Sequence, residues 1–192
     1  ERMEKGKYEG AYVLRPKPGL YENIVFFDFT SMYGSIIVSF NLSKSSFLEK
    51  KEPNSLEVDI GGKVFFLKKQ EFFPLMLKDI IEKRKKFKKE YNKNPNPILK
   101  ARNNAFKLLA NAAYGYQGFF GARYYCREAA ASTAALARKE IKDTIAFIEK
   151  QNYKVVYADT DSVAFLIGKN NKKYILDLLN KINNKLPGIM EL

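Results

Sequence analysis

Val155-Val156-Tyr157-Ala158-Asp159-Thr160-Asp161-Ser162-Val163-Ala164-Phe165-Leu166-Ile167 is the stretch whose reading decides the fold. Apolar, β-branched and aromatic residues flank a short polar, turn-prone segment, so it reads as a β-hairpin with two acids one residue apart at its tip. Two strands would hold that tip rigidly enough for a divalent cation, because hard Mg²⁺ takes oxygen ligands and usually only one or two carboxylates. Taken alone, Asp-x-Asp at a hairpin tip is more often a solvated turn. A third acid adds meaning. Asp28 ends the apolar run Ile24-Val25-Phe26-Phe27 and is followed by Thr30-Ser31, which reads as a strand with an acid at its C-terminal end and a helix start beyond it. Asp28 by itself could equally be a helix cap.

Working outward, residues 8–42 form an extended lead-in, a strand and a short helix from Met32 to Phe40. Glu57–Ile60 and Val64–Leu67 around Gly61-Gly62 predict a second hairpin. A helix runs from Pro74 to about Tyr91, with the proline near its first turn. Residues 92–97, rich in asparagine and proline, break it. A second helix follows from about Ile98 to Ala113 and ends at Gly115. An aromatic, glycine-rich link (114–125) leads to an alanine-rich helix (127–150), the acidic hairpin, and a last helix (172–185) stopped by Pro187-Gly188. This order predicts an α+β fold: an antiparallel sheet bearing acids, packed helices, and a protruding pair of helices.

Composition narrows the chemistry. There is no histidine, so Ser-His-Asp triads, histidine bases and histidine-ligated zinc are excluded; carboxylate, Lys, Arg, Tyr and metal remain. The single cysteine, Cys126, excludes an intrachain disulfide and makes a cytoplasmic or virus-encoded protein the default. No apolar run approaches a membrane span, residues 1–5 do not read as a secretory signal, and no membrane partner is expected. A net charge of +13 favours a polyanionic partner, nucleic acid ahead of an anionic membrane surface. An AT-rich genome or a hot habitat would enrich lysine without any partner.

The basic residues of the first long helix can be placed on a wheel. Met76, Leu77, Ile80, Ile81, Phe87 and Tyr91 share one arc, and Arg84 and Lys88 fall within roughly 20° and 60° of its centre. Those two are therefore expected off the solvated face, with Lys85, Lys86 and Lys89 opposite as surface charges. Inward cations need an anionic partner, although stems snorkelling over apolar surface give the same pattern. On the second helix Asn103, Lys107, Asn111 and Tyr114 make one polar stripe, while Phe106, Leu108, Leu109 and Ala110 are expected to pack elsewhere. Two such helices would clamp a triphosphate. No GxxxxGK[ST] run is present, so side chains and metal would hold the phosphates.

Three motifs stand in fixed order: Asp28-Phe29-Thr30-Ser31-Met32-Tyr33-Gly34-Ser35-Ile36, Lys107-Leu108-Leu109-Ala110-Asn111-Ala112-Ala113-Tyr114-Gly115, and Tyr157-Ala158-Asp159-Thr160-Asp161-Ser162. With them the chain resembles the palm and fingers of an archaeal-type family B DNA polymerase. Tyr8-Glu9-Gly10 is similar to that family's linker between exonuclease and polymerase domains, and Leu186-Pro187-Gly188 to a later palm segment. The resemblance implies an N-terminal palm part (1–71), a fingers hairpin (72–119) and an incomplete C-terminal palm part (120–192). The exonuclease would precede residue 1, and the remaining palm and the thumb would follow Leu192, supplied by a second chain or chain segment.

The resemblance also implies roles. Asp28 and Asp161, with the backbone carbonyl of Phe29, would ligate two Mg²⁺ ions, for which Mn²⁺ could substitute, and Asp159 would take a weaker part in catalysis. Arg84, Lys88, Lys107 and Asn111, with the backbone amides of Ser31, Met32 and Tyr33, would bind the dNTP triphosphate. Tyr33 would lie under the sugar and exclude a 2′-hydroxyl, and Tyr114 and Gly115 would border the nascent base pair on primer-template DNA. Localisation would be cytoplasmic, at the nucleoid of an archaeon, or virus-encoded. Gly34 stands where the family usually has proline, predicting a looser turn after Tyr33. Ala112, Asn103 and Ala11 likewise replace the usual Ser, Gln and Gly. A catalytically retired scaffold and a two-metal nuclease are the rival readings; the first has no need for adjacent unpaired acids, the second none for a triphosphate clamp.

Overall fold

A computed structural model describes residues 8–168 and 172–192; residues 1–5, read above as no secretory signal, and the start of the 1–71 segment lie outside them. The acidic hairpin is present as β6 (Lys154–Asp159) and β7 (Ser162–Leu166), joined through Thr160-Asp161 with Thr160 at φ +52°. β7 also pairs with β2 (Ile24–Asp28), and β6 with the short β1 (Val13–Leu14), giving an antiparallel sheet ordered β1-β6-β7-β2. A register shift between Val155 and Tyr157 bulges β6, which lets the consecutive Val155 and Val156 both be buried where strict alternation would expose one. Beyond the bulge the register places Asp28 and Asp159 on either side of Ser162.

Helix α4 (Arg127–Lys150) packs against β6, β7, α1 (Met32–Ser39) and α3 (Pro97–Gly118). Its buried face is largely alanine (Ala129, Ala130, Ala131, Ala134, Ala137), which allows backbones to approach closely. Beneath the sheet Phe165 is fully buried, edge-on to Phe27 at 5.0 Å and to Tyr153 at 5.5 Å. Helix α1 is buried on nearly all sides, as its apolar composition requires. A second sheet holds the predicted hairpin, β4 (Leu56–Asp59) and β5 (Lys63–Phe66), and adds β3 (Phe47–Leu48). The last helix, α5 (Lys172–Asn183), packs on α4. No helix among the described residues is long and apolar enough to cross a membrane. The α+β architecture is as expected.

The helical pair is α2 (Phe72–Lys93) and α3, with Asn96 capping α3 by accepting from Leu99 N at 2.9 Å. Its base is fixed to the body by Phe73, Leu77, Ile81 and Ala110 against Ile37 and Val38. Three expectations are corrected here. Helix α3 does not end at Gly115 but continues to Gly118, because buried Gln117 donates to Leu42 O at 2.8 Å and its carbonyl accepts from Cys126 N. Leu108 and Leu109 do not pack away: they are 71% and 52% exposed, because in this turn of α3 it is the neighbouring Ala110 that faces the body. Gly34 is not in a turn. It lies inside α1, where an added Cβ would sit 3.3 Å from Ile81 Cδ1 and 3.5 Å from Ala110 O, so its missing side chain admits both helices of the pair.

Two polar fixtures set how the segments enter and leave. Buried Asn41, at φ +54°, donates to Leu67 O (2.7 Å) and Lys69 O (2.5 Å) and accepts from Glu71 N (2.9 Å), tying the end of α1 to the start of α2. Ser39 Oγ donates to Pro187 O at 3.2 Å and accepts from Ile189 N at 3.1 Å, and Gly188, at φ +56°, comes so close that a Cβ would lie 2.6 Å from Ser39 Cβ. Asn41→Ala removes three hydrogen bonds and places a Cβ-bearing, non-polar residue at positive φ, and is expected to cost about 2–4 kcal/mol. Asn41→Gly keeps the backbone freedom and should cost less. Urea midpoints at unchanged m-value measure both.

Candidate active site

The acids meet because two backbone segments are joined at their level. Beyond the β2–β7 ladder, Phe29 N donates to Asp161 O at 2.8 Å, extending the pairing past the last strand residue and into the turn. Phe29 is buried and locks this end of β2, while Asp28 beside it stays exposed. Burial first, and the neighbouring Asp28 charge second, push the Asp161 carboxyl above its ordinary range. Asp159 is differently placed: Tyr157 Oη donates to its Oδ2 at 3.1 Å and Thr160 Oγ1 to its Oδ1 at 2.8 Å, so both of its oxygens already accept hydrogen bonds. Among the described residues no three acidic or cysteine side chains converge as a metal-holding cluster. The acidic centre is the pair Asp28 and Asp161, with Asp159 at its edge.

Beyond Phe29 the chain turns sharply into α1. Ser31 takes left-handed angles (φ 50°, ψ 52°) and makes no side-chain cap, so the first amides of the helix, Met32 and Tyr33 among them, lack intrahelical partners. An N-terminus of this kind favours anions. The Ser31 hydroxyl instead accepts from Arg84 Nη1 of α2. Arg84 is half-buried, and burial lowers its pKa, the sign of a cation held partly out of water. The Met32 side chain is buried, leaving only its backbone to face the site.

Lys88 departs from expectation. It is exposed and lines, with Lys85, Lys89, Asn92, Lys93, Thr30 and Glu191, a cleft of about 430 Å³. The wheel treats α2 as packed along its whole length, but its buried residues end at Ile81, and the later turns border an open cleft. Lys85 and Lys89, expected on the far side, therefore share this cleft, and Lys85 pairs with Glu191 at 2.7 Å. Glu191 O also accepts from Thr30 N at 2.8 Å, bringing the far end of the chain to the acidic centre.

On α3, Lys107 and Asn111 are exposed, and the buried Oδ1 of Asn103 has no partner. Tyr114 lies flat on Tyr33, ring centroids 4.3 Å apart and planes 8° from parallel, and Gly115 is the next, exposed residue. Burial, then Asp161, raises the Tyr33 phenol; burial, then the Tyr8 hydroxyl at 3.2 Å, raises Tyr114 much further. The structure thus joins Asp28 with Asp161, Ser31 with Arg84, and Tyr33 with Tyr114, while Lys88, Lys107 and Asn111 stay exposed. Arg138 of α4 was not singled out in the sequence, although it adjoins the buried stripe Ala134, Ala137 and Ile141. Its Nη1 donates to Glu9 O and Gly10 O.

This geometry stands beside a clear relationship. The family described as DNA polymerase family B matches residues 1–188. The DNA polymerase of Thermococcus gorgonarius is 41% identical over 96% of this chain, and DNA polymerase 1 of Pyrococcus abyssi is 38% identical over all of it. The structure of the family B DNA polymerase from the hyperthermophilic archaeon Pyrobaculum calidifontis superimposes with a TM-score of 0.73 at 34% identity over 96% of the chain. The chain belongs to DNA polymerase family B. It spans about a quarter of the length of these relatives.

With a carboxylate pushed above its ordinary range, the ionised form is the one the fold disfavours, a cost that is absent in acid and sets in as pH rises above the unfolded carboxylate range. Asp161→Asn is therefore expected to raise the melting temperature in EDTA at neutral pH, a shift that thermal unfolding reads directly. A fall would show that the carboxylate makes a stabilising contact.

Proposed function

We propose that this chain carries the nucleotidyl-transfer centre of a template-directed DNA polymerase, adding dNTP to a primer 3′-hydroxyl. The observation that carries this reading is the Phe29–Asp161 backbone bond, which sets two carboxylates side by side below the Arg84–Ser31 contact. Asp28 and Asp161 fit divalent cations: two oxygen donors already in mutual repulsion would be relieved by positive charge, and Mg²⁺ usually takes only one or two carboxylates besides substrate oxygens. Asp28, Asp161 and the Phe29 carbonyl would hold two such ions, which when bound would activate the attacking hydroxyl and offset charge on the departing pyrophosphate.

The protein's own side chains would do the rest. Arg84 would exchange the Ser31 hydroxyl for a phosphate oxygen, a stronger, charge-assisted partner. The free amides at the start of α1 would receive further phosphate oxygens. Lys88, Lys107 and Asn111, exposed on the rising helices, would reach the triphosphate as the fingers hairpin 72–119 closes over the palm parts 1–71 and 120–192. Tyr33 would present its ring to the sugar, with Tyr114 and Gly115 at the new base pair. Asp159, its oxygens already hydrogen-bonded, would serve as a secondary acid.

Single-nucleotide primer extension with Mg²⁺ tests this reading, on the chain alone and with a polypeptide supplying further palm and a thumb. Extension that disappears in Asp28→Asn is expected; residual incorporation above a few per cent would remove Asp28 from the centre. Folded, DNA-binding protein that extends in neither setting would favour the scaffold. Tyr33→Ala is expected to admit ribonucleotides, read as the ratio of kcat/KM for rNTP and dNTP; an unchanged ratio would place sugar selection elsewhere.

A further inference from the structure

Arg138 lies on α4, close enough to Tyr33 and Tyr114 for its charge to act on both phenols, and its side chain is largely enclosed, at 14% exposure. It spends its donors on the lead-in segment: Nη1 reaches Glu9 O at 2.5 Å and Gly10 O at 2.8 Å, and Nη2 lies 3.2 Å from the Glu9 carboxylate. Nη1 alone holds two consecutive carbonyls while Nη2 meets the Glu9 carboxylate, and such a planar, fixed set of donors holds backbone and side chain together in one geometry, as a freely rotating ammonium does not. The segment so fixed ends in Tyr8, whose hydroxyl shares a 3.2 Å hydrogen bond with Tyr114, and Tyr114 lies flat on Tyr33.

An independent feature points the same way. An added Cβ at Gly118, one turn beyond Tyr114 on α3, would lie 3.2 Å from the Tyr8 hydroxyl. The helix thus leaves a notch that seats this hydroxyl. The fork, the notch and the ring stack form one line from α4 to the face of Tyr33.

We propose that Arg138 is a positioning residue for the nucleotide site: by pinning Glu9 and Gly10 it aims Tyr8 at Tyr114 and so holds the Tyr114–Tyr33 stack in register. On the polymerase reading, which this consequence rests on, Arg138 and Tyr8 then set sugar selection from a distance, because Tyr33 is only as rigid as the ring behind it. A ring free to tilt leaves room for a 2′-hydroxyl.

Two readouts test this in Arg138→Ala, Arg138→Lys, Tyr8→Phe and Gly118→Ala. The first is the ring-to-ring nuclear Overhauser contact between Tyr33 and Tyr114 in protein with labelled tyrosines, recorded without DNA or nucleotide. The contact is expected to weaken in Arg138→Ala, Tyr8→Phe and Gly118→Ala and to be partly restored in Arg138→Lys, which keeps a donor. The second is the rNTP/dNTP ratio in primer extension, where Arg138→Ala is expected to lose about tenfold in discrimination and Tyr8→Phe less in the same direction. An undisturbed contact in Arg138→Ala and Tyr8→Phe overturns the positioning role, and a lost contact with unchanged discrimination overturns its consequence for selectivity. If Arg138→Ala fails to fold, Tyr8→Phe, which removes one hydroxyl, decides alone. Absence of extension by the unsubstituted protein, both alone and with the polypeptide supplying further palm and a thumb, would sink the polymerase reading, while the ring contact still judges Arg138.

Discussion

The hydrogen bond from Phe29 N to Asp161 O is the constraint on which the candidate site depends. A carboxylate pair in water separates; here each acid is the neighbour of a backbone group in one bond, so the two cannot part without breaking the end of the β2–β7 ladder. The ladder is held by core contacts that begin one residue from Asp28, with Phe27 and Tyr153 against Phe165, and these supply the free energy that the acids themselves do not. Burial and mutual repulsion make Asp161 locally unfavourable. Strain of this kind survives only where the surroundings over-determine the conformation, and the sheet does so.

The helical pair obeys a different logic. Its base is packed and polar-tied through Asn41, while the outer turns carry exposed lysines and apolar residues with one neighbour each. Free energy of local opening therefore rises from the tip of the pair to its root. Gly34 marks that root. Without a Cβ there, α1 touches Ile81 and the α3 backbone at once.

Much of this was legible in the sequence. The hairpin, the strand ending in Asp28, α1 and α4 announced themselves by period and by flanking turn residues, since each has a one-sided or wholly apolar pattern over enough residues to show it. The acids stood out at the hairpin tip and the strand end, and three motifs in order led to the family and, through it, to the roles of the tyrosines. The two-residue strands β1 and β3 are too short for any period. The end of α3 was missed because a glycine at 115 suggests a stop, whereas a tertiary bond from Gln117 carries the helix on. Lys88 was misplaced because a wheel assigns faces but not where along a helix the packing ceases. Arg138 was invisible for a further reason: its partners, two backbone carbonyls and the Glu9 carboxylate, lie well over a hundred residues away, and no local pattern encodes contacts of that range.

The staple between Ser39 and residues 187–189 joins positions about 150 apart in the chain, and through it Glu191 O reaches Thr30 N. The acidic centre is thus assembled from residues near 30, 160 and 191, none adjacent in sequence. Closing loops of that size must precede the contacts that reward it, so the centre belongs to the late events of folding, after the local helices and the β6–β7 hairpin have formed. Substitutions there would leave the folding rate nearly untouched and act on how quickly the finished protein comes apart.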